Sequence, residues 1–486
     1  MSQFPGASGL ILNEPLLWEK EQKGRCAYSL PRQEVEPSEL PAGLEGRVPD
    51  LPELSELDLV RHYTRLSQWN LGVDSATYPL GSCTMKYNPR INENLAALPG
   101  LAGAHPLLPA GLCQGALQMM HELEGFLSEI TGMDATSLQP SAGAQGELTG
   151  ILLIKAWLQS RGEKRSKILV PDTAHGTNPA SAALCGLKSV PLASGPGGIL
   201  LSEAVDELMD ADTAGIMVTN PNTLGLFEQN IKEIAAIVHE RGGQVYCDGA
   251  NLNALMGMVK MGRTGVDVVH LNLHKTFSAP HGGGGPGSGP VCVRSHLEPF
   301  LPVPRLSQDQ DGGFDLDWDQ PDSVGKVHAF WGNFGVMVRA YSYILSMGPA
   351  DLKRASQLAV LNANYLKERL NDTLELGYDQ PCLHECVFKN LWQQQLGVST
   401  LDIAKRLIDY GFHPPTVYFP LVVPDAIMIE PTETESKDDL DKLVAAFREI
   451  AEQAQKDPAA LHESPVRTKL KRLDETRAAR KPCLIG

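Results

Sequence analysis

The sequence predicts an α/β fold built around a large, mostly parallel sheet. From Gly115 onward, short β-rich runs alternate with amphipathic helical stretches, a pattern typical of a parallel sheet covered by helices on both faces. The chain has 486 residues, enough for a large core and more than one domain. In such sheets ligands bind outside the carboxyl ends of the strands, so residues that directly follow strands are the first candidates for chemistry.

Residues 1–100 predict an N-terminal arm rather than an independent domain. They are rich in proline, glycine and charge, with only short helical patches such as residues 53–66. Long irregular segments rarely persist in a compact domain without cover or a functional role. The composition therefore indicates an arm that packs against a neighbouring subunit.

Residues 101–330 are predicted to form the large cofactor-binding domain. Leu117, Met120, Leu123 and Leu127 recur at helical spacing near its start. An amphipathic segment at 230–240 predicts one of the covering helices. The predicted strands are residues 167–170, 215–219, 244–247, 267–271 and 291–293.

Residues 331–486 predict a linking helix, a smaller C-terminal α/β domain and a tail. The linking helix is expected at 334–347, and further helices are expected at 351–370 and 438–455. The chain after Pro458 is charged, which indicates a surface tail.

Charge and composition narrow the possible partners and location. The formal net charge is −16, which speaks against a nucleic-acid partner or an anionic membrane surface. No apolar run is long enough to span a membrane. The N-terminus carries acids and has no arginine before Arg25, so it fits neither a signal peptide nor a transit peptide. A cytoplasmic location is expected.

The nine cysteines form no framework, and their odd number indicates reduced thiols. Cys382 and Cys386 flank His384, which suggests a metal site. Four ligands at zinc spacing are absent from the sequence, so the two are interpreted as packing cysteines and no metal is expected.

Three strand ends carry residues that suggest one chemistry. Asp248, Lys275 and His175 each follow an apolar run. Singly they have ordinary explanations: a helix cap, a surface charge and a structural histidine. Together they suit pyridoxal 5'-phosphate, because a lysine amine forms a Schiff base with its aldehyde and a carboxylate keeps its ring nitrogen protonated. An imidazole stacked on the ring would fix its plane.

The phosphate of such a cofactor also needs a site. A loop of small residues leads directly into an apolar helix at 148–158, and a helix N-terminus attracts anions. His274 either contacts the phosphate or supports Lys275. The loop residues are Ser141, Ala142, Gly143 and Ala144.

A glycine run at 282–287 contains a G-x-G-x-x-G match at Gly282, Gly284 and Gly287. The dinucleotide fingerprint requires a helix after these glycines, whereas a strand-like run follows here. The match is therefore rejected. Glycines beside Lys275 instead allow the backbone to pass close to a cofactor or a neighbouring chain.

Longer motifs resemble a known family, the P-protein of the glycine cleavage system, in its two-subunit form. They span nearly the whole chain, and the departures, at Cys26 and residues 417–419, do not touch the proposed site. The motifs are YPLGSCTMKYNPR (78–90), HGTNPASA (175–182), TNPNTLGLFE (219–228), CDGANLNA (247–254), LNLHKTF (271–277), GNFGVMVRAY (332–341), IEPTETES (429–436) and RLDETRAARKP (472–482).

The resemblance implies the fold-type I architecture of pyridoxal-phosphate enzymes, which is aspartate-aminotransferase-like, with a seven-stranded large domain. It implies that pyridoxal 5'-phosphate is held covalently on Lys275. It further implies decarboxylation of glycine, with transfer of the aminomethyl group to the lipoyl arm of the H-protein. The partner implied is a homologous, lysine-less subunit 1 in a heterotetramer.

The glycine carboxylate also needs a holder, and the irregular segment 78–88 is the candidate. It concentrates hydroxyl, amine and amide groups, although a purely structural loop would look the same. The candidate residues are Tyr78, Ser82, Thr84, Lys86 and Asn88.

Two other classes of function stay open at this stage. One is a different fold-type I enzyme, such as an aminotransferase or a cysteine desulfurase. The other is a non-catalytic partner subunit, which the joint presence of Lys275, Asp248 and His175 disfavours.

Overall fold

A computed structural model describes residues 14–36, 38–44, 46, 49–281 and 287–484. Gly282 and Gly284, and with them most of the rejected glycine match, lie outside the described residues. Among the described residues no helix is long and apolar enough to cross a membrane.

The large domain contains a seven-stranded sheet with strand order β1-β7-β6-β5-β4-β2-β3. Its strands from β2 to β6 are parallel, and β7 runs antiparallel to both β1 and β6. The prediction of a mostly parallel sheet is confirmed. The strands are β1 Ala135–Ser137, β2 Lys167–Pro171, β3 Lys188–Leu192, β4 Thr213–Thr219, β5 Gln244–Asp248, β6 Val268–His270 and β7 Val291–Val293.

Helices cover both faces of this sheet. Successive strand residues point to opposite faces, so the apolar side chains on each face need a covering layer. Val245 and Cys247 belong to one hydrophobic core, whereas Tyr246 belongs to the core on the other face. The helices up to this point of the chain are α1 Glu56–Ser67, α2 Arg90–Ala96, α3 Pro99–Ala102, α4 Gln114–Thr131, α5 Gly143–Ser160, α6 Thr177–Leu184, α7 Ser202–Leu208, α8 Ile231–Glu240 and α9 Leu273–Thr276.

A two-stranded hairpin and a long helix lead to the small domain. The hairpin pairs β8 Arg305–Gln308 with β9 Phe314–Asp317. Helix α10, Phe334–Leu370, is kinked at Gly348, whose φ of 63° breaks the helical path directly before Pro349. The linking helix and the first helix of the small domain are therefore continuous except for this kink.

The small domain is a four-stranded antiparallel sheet of order β10-β11-β13-β12, packed against helices. Cys382 and Cys386 are buried in its core, which agrees with packing cysteines, and the nine cysteines, all among the described residues, form no disulfide. The elements are β10 Glu375–Leu376, β11 Cys386–Lys389, β12 Thr416–Val417, β13 Ala426–Ile429, α11 Trp392–Gln395, α12 Thr400–Tyr410, α13 Lys437–Lys456, α14 Pro458–His462 and α15 Glu475–Arg480.

An early segment of the chain joins the small domain. Leu80 forms an antiparallel bridge with Ile429 at the end of β13, and the amide of Glu430 donates to the carbonyl oxygen of Pro79, 3.3 Å away. A side chain at Gly81 would meet Met428, because a Cβ there would lie 2.2 Å from the methionine Cγ. Only glycine allows this approach.

Candidate active site

Lys275 lies just beyond the carboxyl end of β6, within the short helix α9. Its ammonium donates a hydrogen bond to the carbonyl oxygen of Ser82, 2.9 Å from Nζ. Burial shifts the pKa values of groups on surrounding elements of both domains, and the Lys275 charge adds to that shift in the histidines but opposes it in the cysteine and the glutamates. These groups are Cys83, Glu147, His175, His270, His274, His281, His384, Glu385 and Glu430.

Asp248 is the last residue of β5 and is only 2% exposed. Its Oδ1 accepts a hydrogen bond from the amide of Ala250, 3.0 Å away. On the neighbouring strand, His270 Nε2 lies 3.5 Å from the same oxygen, which is too far for a good hydrogen bond. The other ring nitrogen of His270 is 2.6 Å from the Tyr246 hydroxyl. Burial lowers the pKa of His270, so its imidazole is neutral at pH 7.

His175 lies between β2 and α6, at the same edge of the sheet. Its Nδ1 is 2.8 Å from Thr177 Oγ1. Burial lowers the pKa of His175, the Asp248 charge opposes that shift, and the Lys275 charge adds to it. The imidazole therefore lies within electrostatic range of both residues. The structure brings the three predicted strand-end residues together.

Glu147 belongs to the same cluster and was missed by the sequence analysis. It lies in the first half of α5 and is 3% exposed. Its carboxyl accepts hydrogen bonds from the hydroxyls of Thr177, at 2.7 Å, and Ser181, at 3.3 Å. Burial, together with the Asp248 charge, raises the pKa of Glu147 to about 7. Its position four residues after Gly143, inside an apolar helix, was the only sequence signal.

The predicted phosphate loop joins β1 to α5 and packs against the chain that precedes β7. The amide of Gly289 donates to Pro140 O at 2.9 Å, and a Cβ at Gly289 would lie 2.0 Å from Ala142 O. Asn333 Nδ2, at the start of α10, donates to Ser141 O at 3.1 Å. These contacts fix the loop at the N-terminus of α5, where the first amide N–H groups have no acceptor within the helix.

Within that loop, both hydrogen-bond donors of Ser141 are used by the protein itself. Its amide N–H and its hydroxyl both donate to Gln145 Oε1, each at 2.7 Å. The backbone N–H groups of Gly143 and Ala144 belong to the first helical turn and suit an anion. His274 lies nearby, with Nδ1 accepting from the amide of Ser288 at 3.3 Å. Burial and the neighbouring His281 lower the pKa of His274 to about 3, so its ring is neutral.

Buried polar atoms without a partner show that a polar ligand fits here. Asn272 Oδ1 lies so close to Gly143 that a Cβ on the glycine would be 2.4 Å from it. Asn220 follows β4, and its backbone N–H donates to Asp248 O at 3.3 Å. Burying such atoms unpaired is costly. Among the described residues the unpaired atoms of this region include Asn220 Nδ2, His270 Nε2, Asn272 Oδ1, Thr276 Oγ1 and Ser288 Oγ. This set of donors and acceptors, with an amine and a buried carboxylate, fits a phosphate-bearing aldehyde.

Ser82 and Thr84 reach this cluster from the N-terminal part of the chain. Both adopt left-handed backbone conformations, with φ of 57° and 48°, which cost free energy in residues other than glycine. Two buried glutamates of the small domain hold them. Glu385 accepts from the amide of Ser82 at 2.7 Å, and Glu430 accepts from the amide and hydroxyl of Thr84 at 2.8 Å and 2.5 Å. We refer to these four residues as the glutamate clamp.

Lys86 is directed away from solvent and is fully engaged by protein atoms. Its Nζ donates to Glu433 Oε1 at 2.8 Å, Thr276 O at 2.7 Å and Asn253 Oδ1 at 3.0 Å. Only 1% of its side chain is exposed. Its substrate role stays a prediction, and these contacts favour a structural role instead.

Tyr78 and Asn88, the remaining candidates of the segment, also make protein contacts. The Tyr78 ring stacks on His413 with centroids 3.6 Å apart. Asn88 Oδ1 accepts a hydrogen bond from the Ser278 hydroxyl at 3.2 Å. Segment 78–88 therefore lies between the small domain and the lysine loop, and the choice of a carboxylate-binding residue within it stays a prediction.

The strand order of the large sheet, the small antiparallel domain and the strand-end lysine define the class: fold-type I pyridoxal-phosphate enzymes. Solved structures share this fold. The inhibitor-bound glycine decarboxylase (P-protein) of the glycine cleavage system matches with a TM-score of 0.71 and 22% identity, over 85% of this chain and 93% of that one. An aspartate aminotransferase from Thermus thermophilus matches with a TM-score of 0.56 and 16% identity, over 77% and 99%.

The chain belongs to the glycine cleavage system P-protein family. That family's model matches residues 33–313, and the model of the glycine dehydrogenase C-terminal domain matches residues 355–469. A probable glycine dehydrogenase (decarboxylating) subunit 2 from Caldanaerobacter subterraneus subsp. tengcongensis is 56% identical over 478 residues, which is 96% of this chain and 98% of the relative. A protein of the same description from Listeria monocytogenes is 54% identical, covering 97% of each chain.

Proposed function

We propose that this chain binds pyridoxal 5'-phosphate, decarboxylates glycine and passes the aminomethyl group to the lipoyl arm of an H-protein. The observation that carries the proposal is the position of Lys275, Asp248 and His175 at the carboxyl ends of β6, β5 and β2, parallel strands of one sheet. Relatives more than 50% identical over nearly the whole chain carry the name glycine dehydrogenase (decarboxylating) subunit 2.

The residues present suit each part of the cofactor. Lys275 would bind its aldehyde carbon covalently, Asp248 would accept a hydrogen bond from its ring nitrogen, and His175 would lie against its ring. The loop residues Ser141, Ala142, Gly143 and Ala144, with His274, would hold its phosphate. When bound, the cofactor supplies an electron sink for the electron pair that CO2 leaves behind.

The chain's own residues then have separate tasks. The Asp248 carboxylate holds the proton on the ring nitrogen, and its burial strengthens that interaction because the local dielectric constant is low. With glycine at the site, Lys275 would move protons at Nζ. The Ser82 carbonyl oxygen, 2.9 Å from Nζ, keeps the freed amine at the site.

The cysteine desulfurase alternative is disfavoured by the thiol of Cys83, which directly follows Ser82 in the chain. A desulfurase needs a nucleophilic thiolate. Burial raises the pKa of Cys83 to about 11, although the Lys275 charge opposes the shift. Cys83 is therefore a neutral thiol at pH 7. Family membership likewise favours decarboxylation of glycine over the reaction of an aminotransferase, which passes an amino group from an amino acid to a 2-oxo acid.

We further propose that the chain works with a homologous, lysine-less subunit 1 in a heterotetramer. The relatives' designation as subunit 2 supports a second subunit. Apolar side chains of the N-terminal arm also lack cover in this chain alone: Leu30 is 81% exposed, Val35 76% and Tyr28 72%. Such a row of exposed apolar residues suits an interface with another protein.

The test is carrier-dependent exchange of labelled bicarbonate into glycine. We expect exchange from the purified chain with subunit 1 and lipoylated H-protein, and none from the Lys275→Ala variant. Unlipoylated H-protein is the matched control, because it docks without offering the disulfide. Exchange that is equal with unlipoylated carrier, or that survives in Lys275→Ala, would exclude the proposed reaction. Full activity of the chain without subunit 1 would exclude the proposed assembly.

A further inference from the structure

A chain of hydrogen bonds connects His175 to Glu147. The Thr177 hydroxyl lies between them, 2.8 Å from His175 Nδ1 and 2.7 Å from Glu147 Oε1. A hydroxyl has one hydrogen to donate, so it must accept on one side of this chain and donate on the other. The state of the carboxyl therefore decides which nitrogen of the imidazole carries the proton.

Several charged and titratable groups face Glu147. On α6, Ser181 donates to its Oε2 at 3.3 Å, which favours the ionised carboxylate. Ionised Glu147 is an acceptor only. Thr177 then donates to Glu147 and must accept its second hydrogen bond from His175 Nδ1–H. The other facing groups are Asp248 and Tyr246 on β5, and His270 and Lys275 at the end of β6.

One contact points the other way. The amide of Thr177 also approaches His175 Nδ1, at 3.4 Å, and would require that nitrogen to accept. This distance is at the long limit for a hydrogen bond, whereas the hydroxyl contact of 2.8 Å is of ordinary length. When Thr177 donates its one hydrogen to ionised Glu147, its hydroxyl can only accept from His175, so the shorter contact requires Nδ1–H.

We infer that Glu147 is a positioning residue that acts through the Thr177 hydroxyl to hold the proton of His175 on Nδ1 and to fix the plane of its ring. The inference rests on the proposed function only in that His175 is taken to lie against the cofactor ring. The hydrogen bond at Nδ1 restricts rotation of the imidazole about its Cβ–Cγ bond. The orientation of the ring is therefore set before the cofactor binds.

The direct test uses the cofactor-free protein. Nitrogen-15 NMR of histidine-labelled protein at pH 8.5, where Glu147 is ionised because its pKa is about 7, distinguishes the two tautomers. The His175 signal is identified by its loss in His175→Gln. We expect Nδ1–H in the wild type and in Thr177→Ser, which keeps the hydroxyl. Thr177→Val, of equal shape, and Glu147→Leu should lose this preference.

The second readout is the bound cofactor. Thr177→Val and Glu147→Leu should shift its visible band and release it about fivefold faster, the effect of one ordinary hydrogen bond, whereas Thr177→Ser should match the wild type. An unchanged tautomer, or an unchanged band with unchanged release, in a folded Thr177→Val protein would overturn the inference. If the wild type itself binds no pyridoxal phosphate, the proposed function fails. The tautomer measurement still decides whether Glu147 acts on His175 through Thr177.

Discussion

The ammonium of Lys275 and the carbonyl oxygen of Ser82 form a hydrogen bond of 2.9 Å between segments that lie 193 residues apart. Ser82 is held in turn by Glu385 of the small domain. The lysine of the large domain is therefore positioned through a loop that the small domain grips. A movement of the small domain relative to the large domain would therefore change the position of the Ser82 carbonyl oxygen relative to Lys275 Nζ.

Lys275 should be the lysine that binds pyridoxal phosphate. Borohydride reduction of the loaded protein followed by peptide mapping should place the pyridoxyl group there, because Lys275 is the amine at the end of β6. Lys86 provides an internal control, since it is also buried but is paired with Glu433. A label on Lys86, or on any other lysine, would contradict the assignment.

Asp248→Asn should bind the cofactor but decarboxylate glycine at least about a hundredfold more slowly, because a neutral amide cannot keep the ring nitrogen protonated. The measurement is single-turnover decarboxylation. Asp267→Asn is the matched control: Asp267 is also buried, and it accepts from the amide of Val245 at 2.7 Å. That variant should lose stability but keep its rate per folded molecule. Near-normal turnover in Asp248→Asn would leave Asp248 with a structural role only, through its hydrogen bond with the amide of Ala250.

His175→Ala should shift the visible band of the bound cofactor and loosen its binding, because the stacked imidazole is lost. Absorption spectra and the rate of cofactor release measure both effects. His296→Ala, at an exposed imidazole beside Asp267, should leave the spectrum unchanged. If the two variants behave alike, His175 has only a structural role.

Lys86→Met should destabilise the protein by about 3–5 kcal/mol, because it leaves the buried Glu433 carboxylate unpaired. Denaturant unfolding of the cofactor-free protein measures the loss. The double variant Lys86→Met with Glu433→Gln should recover part of it, since no unpaired charge remains. Unchanged stability with a raised KM for glycine would instead support the substrate role predicted from the sequence.

Glu147 should make the stability of the cofactor-free protein depend on pH. Burial and the Asp248 charge raise its pKa from 4.5 to about 7 in the folded protein, so the folded state holds the proton more tightly than the unfolded chain. Its stabilising contribution is full below pH 4.5 and is lost as the pH rises through about 7. Relative to Glu147→Gln, the wild type should lose about 1.4 kcal/mol per pH unit within that window. A difference that is constant or rises with pH would contradict this.

Local patterns in the sequence predict much of the large domain. Five of its strands were expected close to their observed bounds because they are apolar runs bounded by turns. β1 and β3 escaped for physical reasons. β1, Ala135–Ser137, carries no large apolar side chain and so forms no apolar run. β3 contains Pro191, which an edge strand tolerates although a proline ordinarily argues against a strand. Asp248, Lys275 and His175 were predicted to lie at one edge of the sheet because parallel strands bring their carboxyl ends together there.

Contacts between distant segments could not be predicted in this way. Glu385 lies 303 residues from Ser82, and in the sequence it is simply an acid before an apolar strand. Glu430 is likewise an acid next to an apolar strand, since it directly follows β13. Nothing local indicates that both turn inward to accept hydrogen bonds from backbone amides. The roles of Tyr78, Ser82, Thr84 and Asn88 stay predictions for the same reason, because the shape of their loop is imposed by the small domain.

The bridge between Leu80 and Ile429 has a consequence for how the protein is made. Synthesis runs from the N-terminus, and domains generally fold as units while they emerge from the ribosome. The large sheet, complete at Val293, can therefore form while the segment around Leu80 still waits for its partner strand. The glutamate clamp is complete only after residue 430 has been added, because Glu430 binds Thr84. A nascent chain released before that point would carry Lys275 on a finished sheet, with the loop that positions it still unattached.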